Sequence, residues 1–429
     1  MTQEAAPRQG AVGHLGDIDV ESVFWEARPE LAAVRQYARA AMAAPWAVLG
    51  CVLARVALSV PPVVVLPPLG NDRNAVASLN VFVGLVAPSG VGKGVATRAA
   101  EGFLMVAPGG GRLIVERPLG SGEGMSHVFT ETVDEGEDMP ALHSVWFDVP
   151  EVDTLTALVG RKASTLASEV RKMFTGESLG FQNADAARRK IVPAHSYRAA
   201  LVAGVQPRKA GPLLDDAAGG TPQRFLWMPA TDPGAPDVLP PAPDPYVWSS
   251  PVLATEPRRV LLNVAGSIKA QLQAERRARL REEITDDNGQ QSLVRLKVAA
   301  LLALLARRVE VTEGDWHLAD FVMTVSDHTR TRMRDALRAD AARENRARAE
   351  ARAAFDEHQD DAAVQRTASK ILAALSTEPR PASGVRSALG KNLRDYFDAA
   401  ADSLIRRGLI ERTEDEYRGQ ARTLLRLRE

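Results

Sequence analysis

Cysteine is almost missing from this chain. Cys51 is the only one in 429 residues, and it lies in an apolar stretch of helical spacing. No disulfide framework can form, so a reducing cytoplasm is the expected compartment, and the thiol reads as a small core residue rather than a nucleophile. An excess of charge of either sign is also missing: 53 Lys and Arg stand against 54 Asp and Glu. Global charge therefore predicts no nucleic-acid partner, and any DNA surface must be local. The opening residues, MTQEAAPRQG, lack a signal-peptide pattern. No long unbroken apolar run exists either. The most apolar region, 43–68, is interrupted by Arg55 and several prolines. It fits a buried helix followed by a strand and argues against a membrane partner. The length allows two or three domains.

What is present centres on residues 80–100, NVFVGLVAPSGVGKGVATRAA. The spacing predicts a buried strand, a glycine-rich turn and a helix start. The turn, Ala87-Pro88-Ser89-Gly90-Val91-Gly92-Lys93-Gly94, reads as a phosphate loop with two departures. Ala87 stands where the first glycine is usual, and Gly94 stands where Ser or Thr usually follows the lysine. Gly90 and Gly92 let the backbone bend around an anion with its N–H groups inward, and the helix beyond presents free N–H groups and a positive dipole end. The expected ligands are ATP and Mg²⁺. The nucleotide would be held by Ser89, Gly90, Val91, Gly92, Lys93, Gly94 and Val95, with Lys93 reaching the β- and γ-phosphates. Gly94 cannot supply a metal-binding hydroxyl, so the ion would need more water, Ser89 or a downstream carboxylate. The plainer alternative is a strand–helix turn with a surface lysine. The apolar run Val81–Val86 and the glycine spacing argue against it.

The rest of the chain supplies partners for that loop. Residues 1–19 read as a disordered tail. Residues 20–68 read as an N-terminal helical region, with helices over 29–43 and 46–59 divided by Pro45. Residues 69–230 form the expected ATPase core. It holds a helix over 95–106, a strand over 112–116, the acidic strand and its exit over 144–155, a helix over 163–177 and an apolar strand over 197–205. Phosphoryl transfer needs a carboxylate past such a strand for the metal and another for the water. Glu151 is the first choice for the water, with Asp153 and Asp148 as metal carboxylates. Glu123, in the turn GSGEG, is a reserve general base, or only a helix-start carboxylate favoured by the dipole. Gln206 at a strand tip suits a γ-phosphate sensor. Arg224, between a Gly-Gly-Thr-Pro turn and an apolar strand, suits an arginine finger directed at a neighbouring subunit, or a structural ion pair. Arg188, Arg189 and Lys190 suit a DNA-facing loop, or only a solvated one. A Pro-rich linker is expected over 231–257. A helical lid and connector follow over 258–361, with helices over 260–283, 291–308 and from Thr312. In it Arg295 or Lys297 could sense phosphate or be structural. The order helix–helix–helix–hairpin over 362–429 reads as a winged helix. Lys391, Arg394, Arg406, Arg407, Arg412, Arg418 and Arg422 make it locally basic, for DNA or for a docked protein.

With these residues placed, the chain resembles the P-loop ATPase and helicase-like replication proteins of bacterial mobile elements and phages, often found beside a primase. The matching blocks are APSGVGKG, GSGEG, VPEVDTL, GVQP, GGTPQRFLW and the RLKVAALLALL–VTEGDW pair, spanning about residues 43–330. Actinobacterial versions look closest. The resemblance implies an α/β P-loop NTPase core of RecA/AAA+ type, a homo-oligomer such as a hexameric ring, and a motor acting on single-stranded or forked DNA. It also implies a possible primase partner. The chain shows no primase-like region before the core, so it is expected to supply the motor half. The alternatives are an ATP-controlled DNA-binding initiator or regulator, and a primase-docking adaptor that does not unwind.

Overall fold

The computed structural model describes residues 20–72, 74–130, 143–159, 165–181, 191–216, 219–252, 258–284, 289–418 and 420–428. The expected tail and the basic segment 188–190 lie outside them. The chain divides into two units, Met1–Arg338 and Ala339–Glu429.

The first unit is built on a five-stranded, all-parallel sheet. In spatial order its strands are Val115–Pro118, Ser144–Val149, Arg198–Val205, Val81–Val86 and Phe225–Pro229. Val81–Val86 and Arg198–Val205 are buried at every position. That is why both read as continuous apolar runs rather than alternating ones: a parallel sheet is covered on both faces. Val83 and Met228 face the helix Pro45–Ser59, every residue of which is buried except Arg55. Phe82 and Phe225 face the other way. Phe82 meets Phe174 of the helix Leu166–Thr175 at 5.3 Å between ring centroids. Gly84 lets the Trp227 ring lie flush on that face, since a Cβ there would stand 2.7 Å from it. The chain leaves Val81–Val86 for the far edge, returns beside it, and then crosses to its other side. Val81–Val86 is thus the switch point of the sheet, and the crevice beyond its carboxyl end is the expected ligand site of such a topology.

Several boundaries differ from expectation, and each has a tertiary cause. The N-terminal helices, Val20–Glu26, Pro29–Ala40 and Pro45–Ser59, pack into this unit through Phe24, Trp25 and Trp46. Pro45 opens its helix at the first helical position, where no backbone donor is lost. The helix after the loop stops at Phe103, and Leu104–Val106 pairs as a strand with Tyr246–Trp248. That pairing pins the Pro-rich segment, so it is not a free linker. The second core strand lies at Val115–Pro118 rather than over 112–116. Val260–Leu261 pairs with Val64–Leu66, and the first lid helix begins only at Gly266. Thr312 does start a helix. Its backbone N–H and hydroxyl both donate to Asp315 Oδ2, at 2.8 and 2.7 Å, and the helix runs Glu313–Ala374. No helix among the described residues is long and apolar enough to cross a membrane.

The second unit takes in residues 339–374 of that helix, which were expected in part as connector. It also holds the helices Ala382–Ala388 and Phe397–Arg406 and an antiparallel sheet of Arg380–Pro381, Gln420–Leu427 and Ile410–Tyr417. Its core gathers Ile371, Val385, Phe397, Leu404, Ile410 and Leu425. Three residues of the expected basic face are engaged from within. Arg422 pairs with Asp415 at 2.6 Å and Arg412 with Asp402 at 2.9 Å. Arg394 is spent on the carbonyls of Ser387 and Leu389. Counting arginines along the hairpin missed the carboxylates that the strand register sets against them: Asp415 lies opposite Arg422, and Glu411 opposite Arg426.

Candidate phosphate site at the end of the central strand

The loop 87–92 joins Val81–Val86 to the helix Lys93–Phe103. Gly90 and Gly92 have φ of 80° and 85°, a left-handed backbone open to glycine at little cost. The loop is anchored where it leaves the strand. The Ala87 N–H donates to Val205 at 3.1 Å, and Val86 accepts from Ala230 at 2.8 Å. Lys93 opens the helix. Its ammonium donates only long bonds, 3.3 Å to the Ala87 carbonyl and 3.4 Å to that of Pro88. Burial lowers its pKa, Glu151 opposes that shift, and Lys209 adds to it. The cation is thus folded against its own loop and short of an anion. At Gly94 an added Cβ would meet nothing closer than Arg98 Nη1 at 3.7 Å, so a side chain there is not excluded by space.

A cavity of about 490 Å³ opens over this loop. Beside the loop residues its lining includes Glu116, Asp148, Glu151 and Gly204. The strand Ser144–Val149 ends at Pro150, and Glu151 stands in the turn before the helix Val152–Val159. Gly204 makes that closeness possible: a Cβ there would fall 2.1 Å from the Pro150 carbonyl oxygen and 3.2 Å from Lys93 Cε. Asp148 is half-buried, and burial pushes its carboxyl above its ordinary value, a shift that a cation beside it would reverse. No group of three His, Cys, Asp or Glu among the described residues is arranged to hold a metal alone. The donors fit an ion held mainly by phosphate oxygens and water, with Asp148 as the protein carboxylate. Asp153 does not line the cavity. It sits in the first turn of its helix, 2.5 Å from Lys209 Nζ, and Glu151 is 3.4 Å from the same nitrogen.

The remaining expected residues separate into two groups. Gln206 follows Arg198–Val205, the strand between the loop strand and the acidic strand, but like Asp153 it does not line the cavity. Glu123 lies in the first turn of Gly122–Val128, capped by Ser121, and is exposed outside the cavity lining. Arg224 is folded back. Its Nη1 donates to the carbonyls of Gly219 and Gly220 at 3.2 and 2.6 Å, and its guanidinium lies 5.9 Å from the Phe174 ring. The chain therefore holds it against its own turn. Lys297 cannot sense phosphate at this loop. Its Nζ is buried against the carbonyls of Asn80 and Phe174, and Asn80 precedes the strand that the loop follows. Six strand residues, roughly 20 Å, separate the two ends. Arg295 stacks 3.9 Å from the Trp316 ring and pairs with Asp320, a structural role.

Lys209 and Gly204 were not singled out from the sequence. Lys209 stood in plain sight two residues after the GVQP block, but its partners are 56 and 58 positions away. A larger cavity, about 780 Å³, lies toward the amino ends of the strands, lined in part by Asp72, His195 and Arg276. No lysine is among its described lining residues and it lies away from the carboxyl end of Val81–Val86, so its size does not make it the phosphate site. No protein-family model matches the chain, and no curated protein matches it.

Proposed function

We propose that the chain is a P-loop ATPase with a RecA/AAA+-type core, in which Lys93 and the amides of loop 87–94 hold the phosphates of ATP. One observation carries this reading: the anchored loop with left-handed Gly90 and Gly92, the start of a helix, and the carboxylates Asp148 and Glu151 all face one cavity at the switch point of a parallel sheet. Magnesium would draw charge from the β- and γ-phosphates. Water attacks the γ-phosphorus as its proton passes toward Glu151, and the bond to the bridging oxygen breaks with its electrons left on the β-phosphate. Asp148 would order the metal's water shell, and Gln206, just beyond the neighbouring strand, would supply the γ-phosphate contact.

The work coupled to hydrolysis is proposed to be movement on DNA as an oligomer, with the second unit as a winged helix, on the resemblance of the sequence blocks. A second reading is favoured by two observations. Arg412 and Arg422 of the hairpin are paired internally, and Arg224 is bound to its own turn. In it the protein is an ATP-controlled switch or adaptor that binds a partner without separating strands. ATP turnover measured with and without single-stranded DNA, beside Lys93→Ala, tests both. DNA stimulation lost in the variant supports the motor. Turnover that DNA leaves unchanged supports the switch, and no ATP binding at all overturns both.

A further inference from the structure

Lys209 is a lysine with two carboxylates and no function assigned to it. It ends the short 3-10 turn Pro207–Lys209, directly beyond Gln206. Its Nζ bridges Glu151 at 3.4 Å and Asp153 at 2.5 Å, and all three side chains are about half exposed. It is close enough to Lys93 to depress that group, as Glu151 is close enough to support it. Lys93 lines the cavity itself, and Lys209 meets it through Glu151, which does line it. Each is held by weak contacts, Lys93 by two long carbonyl bonds and Lys209 by solvent-exposed ion pairs. Exposed ion pairs contribute little to stability, because water solvates the separated charges almost as well. A terminal phosphate seated among aligned loop amides offers a denser negative charge and charge-assisted hydrogen bonds. Exchange of Lys209 from carboxylates to phosphate is therefore favourable.

We infer that Lys209 is the residue by which this site distinguishes a nucleoside triphosphate from a diphosphate. In this structure its ammonium ties Glu151 to Asp153. With a triphosphate on the loop it turns to the terminal phosphate and releases Glu151 to face the water. A diphosphate leaves Lys209 on the carboxylates. This inference rests on the nucleotide reading above. Lys209 acts through Glu151 and the terminal phosphate, and takes no proton itself.

The test is calorimetric titration of the full chain with ADP and with a non-hydrolysable ATP analogue. The variants are Lys209→Gln, Lys209→Arg and Lys93→Ala. The wild type is expected to prefer the triphosphate, Lys209→Gln to lose about tenfold of that preference, and Lys209→Arg to retain most of it. ADP affinity is expected to stay within about twofold in both Lys209 variants, since a diphosphate does not engage the residue. A structural role would instead weaken both nucleotides alike and would not be rescued by arginine. An unchanged triphosphate preference in Lys209→Gln overturns the inference while leaving the nucleotide site intact. Absence of nucleotide binding in the wild type itself overturns the underlying reading.

Discussion

The two ends of the central sheet carry cations in opposite circumstances. At the amino end, Arg198 and Lys297 are fully buried. Arg198 donates to Ser78 and to the carbonyls of Pro61 and Val64, each at 2.7 Å, and Lys297 donates to the carbonyls of Asn80 and Phe174. Burial disfavours the charge of both, and the carbonyls compensate for it. These groups close the base of the sheet, and neither lines the cavity of about 780 Å³ at that end. At the carboxyl end, Lys93 lines a cavity open to solvent, Lys209 pairs with Glu151 of that lining, and both are held by long or exposed contacts that a phosphate can replace. Charge alone would have marked all four as phosphate binders. What separates them is whether their hydrogen bonds are already satisfied by the fold. A cation whose donors are filled by backbone is structural, and one held by long or exposed bonds is available.

That contrast can be broken from either end. The largest expected effect is on stability. Arg198→Ala leaves a large cavity and orphans the carbonyls of Pro61 and Val64, and is expected to cost about 3 kcal/mol or more in chemical denaturation. A loss below about 1 kcal/mol would show that the amino-end cations are not structural. Gly204→Ala comes next, because its Cβ cannot coexist with the Pro150 carbonyl. Displacing Glu151 by about 1 Å is expected to reduce ATP hydrolysis about a hundredfold, with a smaller loss of nucleotide affinity, as read in steady-state kinetics and titration. The available end also predicts a pH dependence. Lys93 holds its proton below its lowered pKa and loses it as pH rises. Nucleotide affinity should therefore begin to fall at a lower pH than an ordinary lysine, near about 10.4, would impose. Lys93→Arg should remove that decline. The smallest effect is expected at Gly94→Ser. The site has room for the side chain, and the exchange removes a helical glycine at a gain of a few tenths of a kcal/mol. The added hydroxyl should lower the Mg²⁺ concentration needed for half-maximal turnover about threefold. No change in that concentration would mean the ion is held elsewhere.

The carboxyl end was more legible in the sequence than the amino end, for a physical reason. A phosphate loop is a local device. Its strand, glycines, lysine and helix follow one another within twenty residues, and a doubly covered parallel strand shows as an unbroken apolar run. Val81–Val86, Ser144–Val149 and Arg198–Val205 were therefore visible, as was the Thr312–Asp315 helix start. The buried cations depend on partners far away in sequence: Lys297 bonds to Asn80, 217 positions off. No local pattern marks such a residue as buried, so it read as a possible sensor. The same limit hid the strand Leu104–Val106, whose partner Tyr246–Trp248 lies in a Pro-rich stretch. It also hid the carboxylates that neutralise the C-terminal hairpin, because the strand register, and not the basic count, decides which charges meet.

The most direct test of the central claim is ATP binding by the wild-type chain against Lys93→Ala, with denaturation of both measured in parallel. Saturable binding by the wild type is predicted, weakened about ten- to a hundredfold in the variant, with stability unchanged within about 0.5 kcal/mol. Equal affinity in the two proteins would contradict the account, because the loop cation would then be as structural as those at the other end of the sheet.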